Sequence, residues 1–179
     1  MVFSGGRRLF GAGMGWKVSA LLGALCAALL SPVAAHAVDV RFQEQPVAGW
    51  SVNGTVFAVH LSGEVVYVGG AFSAALSPDG EVTRERHNLA AFDRVSGELL
   101  PFRADTNGTV RGLSADGDTV WVGGSFTEIG GEPRQRAAGL DATSGAVRPG
   151  FVADINGRVW DVELGAGRVF VSGEFSTVD

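Results

Sequence analysis

Cysteine is almost missing from this chain of 179 residues: Cys26 is the only one. A lone thiol excludes an intrachain disulfide and a multi-thiolate metal site. Because Cys26 lies in an apolar N-terminal run, the rest of the chain also has no cysteine nucleophile. Lysine is as scarce, with Lys17 alone, and beyond residue 37 the bases are 11 arginines against 19 acids, a net charge of −8. A surface of that sign with no basic stripe repels nucleic acid and anionic lipid, so neither is expected as a partner. Beyond residue 37 the histidines are His60 and His87, 27 residues apart with no third group at metal-ligand spacing. Gly-x-Ser-x-Gly, the elbow of many serine hydrolases, does not occur. No apolar run reaches the roughly 20 residues that cross a bilayer as a helix, and no sustained helical period follows Val38.

The N-terminus reads as an address. Arg7, Arg8 and Lys17 precede an uncharged run from Val18 to Leu30, followed by Pro32 and by Ala35, His36 and Ala37, a small-x-small cleavage pattern. Residues 1–37 are therefore predicted to be a secretory signal peptide, leaving Val38 as the mature N-terminus with no membrane insertion after cleavage. Arg7 and Arg8 also fit the core of a twin-arginine signal, but Lys17 stands between them and the apolar run, and a start at Met14 leaves an ordinary Sec signal. Cys26 follows Leu25 rather than a small residue, which argues against lipid attachment. The location predicted is secreted, extracellular or in the cell envelope.

What the chain has in abundance is repetition. "VYVGGAF" (66–72), "VWVGGSF" (120–126) and "VFVSGEF" (169–175) are three versions of one segment. Each is preceded by an Asn-Gly pair (Asn53 and Gly54, Asn107 and Gly108, Asn156 and Gly157), a short apolar stretch and a Gly-containing turn. The first two copies continue as "LAAFDRVSGELLPF" and "AAGLDATSGAVRPGF". Four strand-like runs in a period near 50 are the signature of a β-propeller blade. The fold predicted is all-β: about two and a half four-stranded blades of an open or partial propeller. The expected divisions are an N-terminal strand at 38–52 that closes a ring, blade 1 at 53–106, blade 2 at 107–155 and a partial blade 3 at 156–179.

Strand parity and composition assign roles to the recurring positions. The Val120/Val122 side and the Trp121 side of "VWVGGSF" are both apolar, as in a sheet buried on both faces. Tyr67, Trp121 and Phe170 fill one slot and Phe72, Phe126 and Phe175 another, and both sets are expected to pack into the next blade. Gly70, Gly124 and Gly173 are expected to need positive φ or zero bulk. Asp93 and Gly97, like Asp141 and Gly145, frame turns in which Asp accepts from backbone N–H groups and Gly takes the left-handed position.

No catalytic, cofactor or metal residue emerges from this pattern. Asn53 and Asn107 match the glycosylation acceptor pattern but open every repeat, which favours turns. Asp116 and Asp118 offer too few oxygens for Ca²⁺. Glu128, Glu132, Glu163 and Glu174 are the carboxylates left for glycoside chemistry. Arg84, Arg86, His87 and Asn88 correspond to Arg134, Gln135 and Arg136. They either receive an anionic or sugar ligand or, as the preferred reading for Arg86 and Arg134, bond backbone carbonyls.

"TVWVGGSFTEIGGEPRQRAAGLDATSGAVRPGF" and "VVYVGGAF…RHNLAAFDRVSGELLPF" resemble the delta-60-type β-propeller repeats of secreted bacterial proteins, over roughly Asn53 to Asp179. The resemblance implies an exported repeat propeller of undefined role, with no catalytic residues to carry over. "LDATSGAV" is also similar to a turn of pyrroloquinoline-quinone propellers, but Phe102 and Phe151 stand where those enzymes have Trp. The function expected is a noncatalytic exported module for binding or scaffolding, no cofactor being implied. The alternative is part of an enzyme propeller, quinoprotein dehydrogenase or hydrolase. Two and a half copies fall short of the four to eight blades of a ring, so the chain is expected to be a fragment of a larger propeller. Its partners would be a glycan, an envelope polymer or a protein, together with the remaining blades of a longer chain or further copies of itself. Expressed in a bacterial host, the exported product should begin at Val38, and an intact N-terminus by mass spectrometry would refute the signal-peptide reading.

Overall fold

A computed structural model describes residues 48–179 of the chain; the predicted signal peptide and residues 38–47 of the expected N-terminal strand lie outside the described residues. Apolar alternation broken by Gly, Asn and Asp yields only strands there. In chain order these are β1 (Ser51–Val52), β2 (Thr55–Ser62), β3 (Val65–Ala71), β4 (Ala74–Leu76), β5 (Thr83–Glu85), β6 (Leu89–Asp93), β7 (Val110–Asp116), β8 (Thr119–Gly124), β9 (Glu128–Ile129), β10 (Glu132–Pro133), β11 (Ala137–Asp141), β12 (Arg158–Gly165) and β13 (Arg168–Glu174). They form small antiparallel sheets, none closed: β2-β3-β6, β7-β8-β11 and β12-β13, with side sheets β1-β4-β5 and β9-β10.

The three main sheets are copies at the level of register. Each opens with a hairpin whose two-residue loop needs positive φ: Gly63 at 57°, Gly117 at 52°, and Ala166 and Gly167 at 49° and 69°. Each first strand carries a bulge at one place, between Val56 and Ala58, Val110 and Gly112, and Val159 and Asp161. The third strand pairs only in the first two copies. The expected fourth strand shrinks to one bridge per copy, Phe92 to Leu99 and Leu140 to Val147. Pro101 and Pro149 follow shortly, and a residue without an N–H cannot extend the ladder.

The sheets stack face to face. Tyr67, Leu89 and Ala91 of the first meet Val110, Leu113, Val120, Val122, Phe126 and Leu140 of the second, all buried in one cluster. Trp121 and Ala137 of the second meet Val159, Val162, Val169, Val171 and Phe175 of the third. The middle sheet is thus dry on both sides, which explains why both parities of "VWVGGSF" are apolar. Tyr67 packs edge-on to Phe102, ring centroids 5.3 Å apart, and Trp121 to Phe151 at 4.9 Å. Such rings contribute about 1.5–3 kcal/mol each by burial.

Two expectations about the recurring aromatics need correction. Tyr67 and Trp121 do face the next sheet, but Phe126 and Phe175 face the preceding one and Phe72 packs among Trp50, Val52, Val68 and Phe92 on the outer side of the first sheet. The reason is parity: 67 and 72, like 121 and 126, differ by an odd number, so the two rings leave the strand on opposite faces. Phe170 is 55% exposed, because no sheet lies over its face among the described residues.

The glycine pairs divide two steric tasks. A Cβ on Gly69 would lie 2.5 Å from Val110 Cγ1, and one on Gly123 would run into Val159 and Val162, so the first glycine makes room for the neighbouring sheet. At the third copy, where no sheet follows among the described residues, Ser172 takes this place. A Cβ on Gly70, Gly124 or Gly173 would run into the carbonyl oxygen of Thr55, Thr109 or Arg158 across its own hairpin. None of these three has positive φ; the need is for zero bulk alone. Gly124→Val is expected to cost about 3 kcal/mol. Gly117→Ala, with nothing within 4 Å of the added Cβ, should cost about 1 kcal/mol for its left-handed φ. Urea denaturation of the two variants checks the ranking.

Candidate functional site

Most polar side chains at recurring positions are engaged in holding the backbone. The Asp93 carboxylate accepts from the N–H groups of Val95 (2.9 Å) and Ser96 (2.7 Å) and from Ser96 Oγ (2.9 Å), with Gly97 at φ 71°. Asp141 does the same with Thr143 (3.1 Å) and Ser144 (2.9 Å, and 2.8 Å from Oγ), with Gly145 at φ 81°. Donation from Ser96, and in the second turn from Ser144, holds each carboxyl below the usual carboxylate range.

The Asn-Gly pairs are bends that anchor a clasp rather than hairpin turns. Asn53 Oδ1 accepts from the N–H groups of Ser73 and Ala74 (both 3.0 Å), while its Nδ2 donates to Ser73 Oγ (3.0 Å). Asn107 repeats this with Thr127 and Glu128, and Asn156 with Ser176 and Thr177, the hydroxyl lying 20 residues ahead each time. The two amides in the glycosylation pattern, Asn53 and Asn107, are thus committed within the fold. Gly54, Gly108 and Gly157 let the chain pass close against Phe72, Phe126 and Phe175.

The basic loops behave likewise. Arg86 donates to the carbonyls of Glu85 (2.8 Å) and Leu100 (3.3 Å), and burial lowers its guanidinium pKa, assisted by nearby Arg103. Arg134 donates to the Pro133 carbonyl (2.7 Å) and pairs with Glu132 at 3.0 Å. Asn88 and Arg136 share a left-handed φ of 67°, and their side chains reach the carbonyls of Thr106 and Ile155, just before the next Asn-Gly. His60 is half-buried opposite Tyr67 and His87 is exposed. Asp116 and Asp118 flank a hairpin turn, and Glu174 lies 3.7 Å from Arg158. Among the described residues no three His, Cys, Asp or Glu groups converge as a metal site.

One constellation is left that the fold does not need. In all three sheets the bulge ejects a single residue from the pairing of the first strand: Phe57, Arg111 and Trp160. A bulge bends its strand and re-aims the extra side chain, and because β2, β7 and β12 are neighbours across the stack the three side chains meet. The Arg111 guanidinium carbon sits 4.7 Å from the Phe57 ring centroid and 4.6 Å from the Trp160 ring. Arg158 lies 4.9 Å from the same indole. Phe57 and Trp160 are 47% and 37% exposed. Each cation–π contact of this kind is worth about 0.5–2 kcal/mol. The rings meet the positive charge of Arg111, but among the described residues no oxygen accepts from its N–H groups, and its Nε is buried without a partner.

Sequence reasoning missed this ladder because it compared repeats for sameness. The slot four residues after each Asn reads Phe, Arg, Trp, an aromatic–cation–aromatic alternation visible only once the copies are laid side by side as neighbours in space.

The Asp turns generate a pH prediction. A carboxyl whose pKa is lowered on folding stabilises the fold fully above its unfolded value of about 4, and that contribution is lost as pH falls through the folded value. Asp141→Asn should lower Tm at pH 7, and the gap from the unsubstituted chain should close as pH drops below about 4; a gap constant from pH 7 to pH 2 would contradict the charge-assisted turn. No family model, curated protein or solved structure matches this chain.

Proposed function

We propose that the chain is an exported, noncatalytic module of β-propeller type, built from delta-60-like repeats, that recognises a glycan, envelope polymer or protein. The observation that carries this reading is the bulge ladder. Three like sheets stack with aromatic wedges between them, their first strands side by side, and together present two exposed rings and a guanidinium with open N–H groups. The carboxylates and amides at recurring positions are consumed in turns and clasps, which leaves them as structural parts rather than acids, bases or nucleophiles. In this reading blades 53–106, 107–155 and 156–179 share a ring with further blades, from a longer chain or from other copies. The Val56, Val59 and Leu61 face of the first sheet, exposed and apolar, supports such a neighbour, since patches of this kind mark contact surfaces.

Screening the full-length chain against an array of bacterial glycans and envelope polymers should give selective binding. A Phe57→Ala, Trp160→Ala double variant should lose it while still melting cooperatively. An empty array would sink the glycan and polymer readings and leave a protein as the partner, and retention of binding by the double variant would move recognition away from the ladder.

A further inference from the structure

We infer that the Phe57–Arg111–Trp160 ladder receives a carboxylate carried on a sugar ring, as in a polyuronate chain. The inference rests on the reading of the ladder as a binding surface and goes further by naming the ligand chemistry. Three observations converge on it.

First, Arg111 is an exception among the half-buried and buried arginines. Arg86 and Arg136 donate to carbonyls, and Arg134 and Arg148 pair with Glu132 and Asp141. Arg111 has no such acceptor among the described residues, although the same residues carry a large excess of acid. Its Nε is buried without a partner, as are those of Arg86, Arg134 and Arg148, but those three bind oxygens through their terminal nitrogens and Arg111 does not, so its fork calls for an acceptor from outside. The group that best matches a guanidinium fork is a planar carboxylate, which accepts two parallel N–H bonds.

Second, what flanks the fork is flat and apolar. Phe57 and Trp160 expose roughly half and a third of their surface beside the cation. The parts of the two rings that Arg111 and Arg158 leave uncovered are open to the C–H side of a pyranose ring whose carboxylate turns toward Arg111. A free small anion would leave both rings uncovered.

Third, the positive charge is doubled. Arg158 stands 4.9 Å from the same Trp160 ring that Arg111 approaches at 4.6 Å, and its tie to Glu174 is long, at 3.7 Å between partly exposed groups. Exposed pairs of this kind contribute little and exchange readily. Two guanidinia around one indole form a local positive patch on a chain that carries −8 beyond residue 37, which suits a short stretch of uronates seated on the ladder rather than a long polyanion laid across the acidic surface.

The test is calorimetric titration of the full-length chain with trigalacturonate, alongside a neutral trisaccharide and sodium acetate. Trigalacturonate should bind, more weakly as salt rises, and the other two should bind at least tenfold less tightly. Arg111→Ala should weaken trigalacturonate about tenfold or more and Arg111→Lys by less, since lysine keeps the charge but not the fork. If Arg111→Ala does not melt cooperatively, Arg158→Ala is measured instead and should still weaken binding about threefold. Equal binding of the neutral trisaccharide, or an unaffected Arg111→Ala, overturns the carboxylate inference while leaving glycan recognition intact. Acetate as tight as trigalacturonate reduces the site to an anion hole and overturns it too. No binding of trigalacturonate overturns the inference alone if the array still yields a ligand, and an empty array removes the glycan reading beneath it.

Discussion

The architecture depends on one steric bargain between neighbouring sheets: glycine on one face, valine and a ring on the other. Gly69 and Gly123 remove a side chain where Val110, Val159 and Val162 must enter. Tyr67 and Trp121, two residues earlier on the same face, then fill the space beyond, Tyr67 capping its contact by donating to the Ala142 carbonyl at 2.7 Å. Burial raises the Tyr67 hydroxyl pKa, and nearby Asp141 adds to the effect. Close-packed interiors tolerate neither an extra methyl nor a missing ring without a shift of backbone. The face-to-face spacing is therefore fixed by a handful of residues per sheet.

Polar side chains then do locally what a disulfide or metal does in many small folds. Each Asn clasp ties the entry of a sheet to the loop 20 residues on. Each Asp turn gathers two backbone N–H groups and a hydroxyl. Asn88 and Arg136 cross from one sheet to the segment leading into the next. A hydrogen bond of this kind contributes only about 1 kcal/mol net, but each Asn makes three of them at one place, so the clasps hold registers that apolar packing alone would leave free to slip.

The bulge links structure to the proposed function. It arises from the second glycine, which brings Gly70, Gly124 and Gly173 against the opposite carbonyl and leaves one residue of the first strand unpaired. Freed from the core, that slot can vary, and it does so as Phe, Arg and Trp while the valine just before it stays constant. A recurring backbone irregularity thus becomes a place where unlike side chains are assembled at one surface.

From the sequence one could read the all-strand composition, the hairpin turns, the Asp turns, the carbonyl-bonding role of Arg86 and Arg134, and a sheet with two dry faces. All of these depend on neighbours within a few dozen residues or on alternation along one strand. The direction of Phe72, Phe126 and Phe175 was also latent there, in an odd spacing that goes unnoticed when a repeated motif is treated as one block. What only the tertiary structure decided was which sheet covers which face, why Phe170 has none among the described residues, and that Phe57, Arg111 and Trp160 touch. Local patterns record the energy of turns and alternation, whereas contacts between residues about 50 positions apart are set by how whole sheets stack, and no single stretch of sequence encodes that distance.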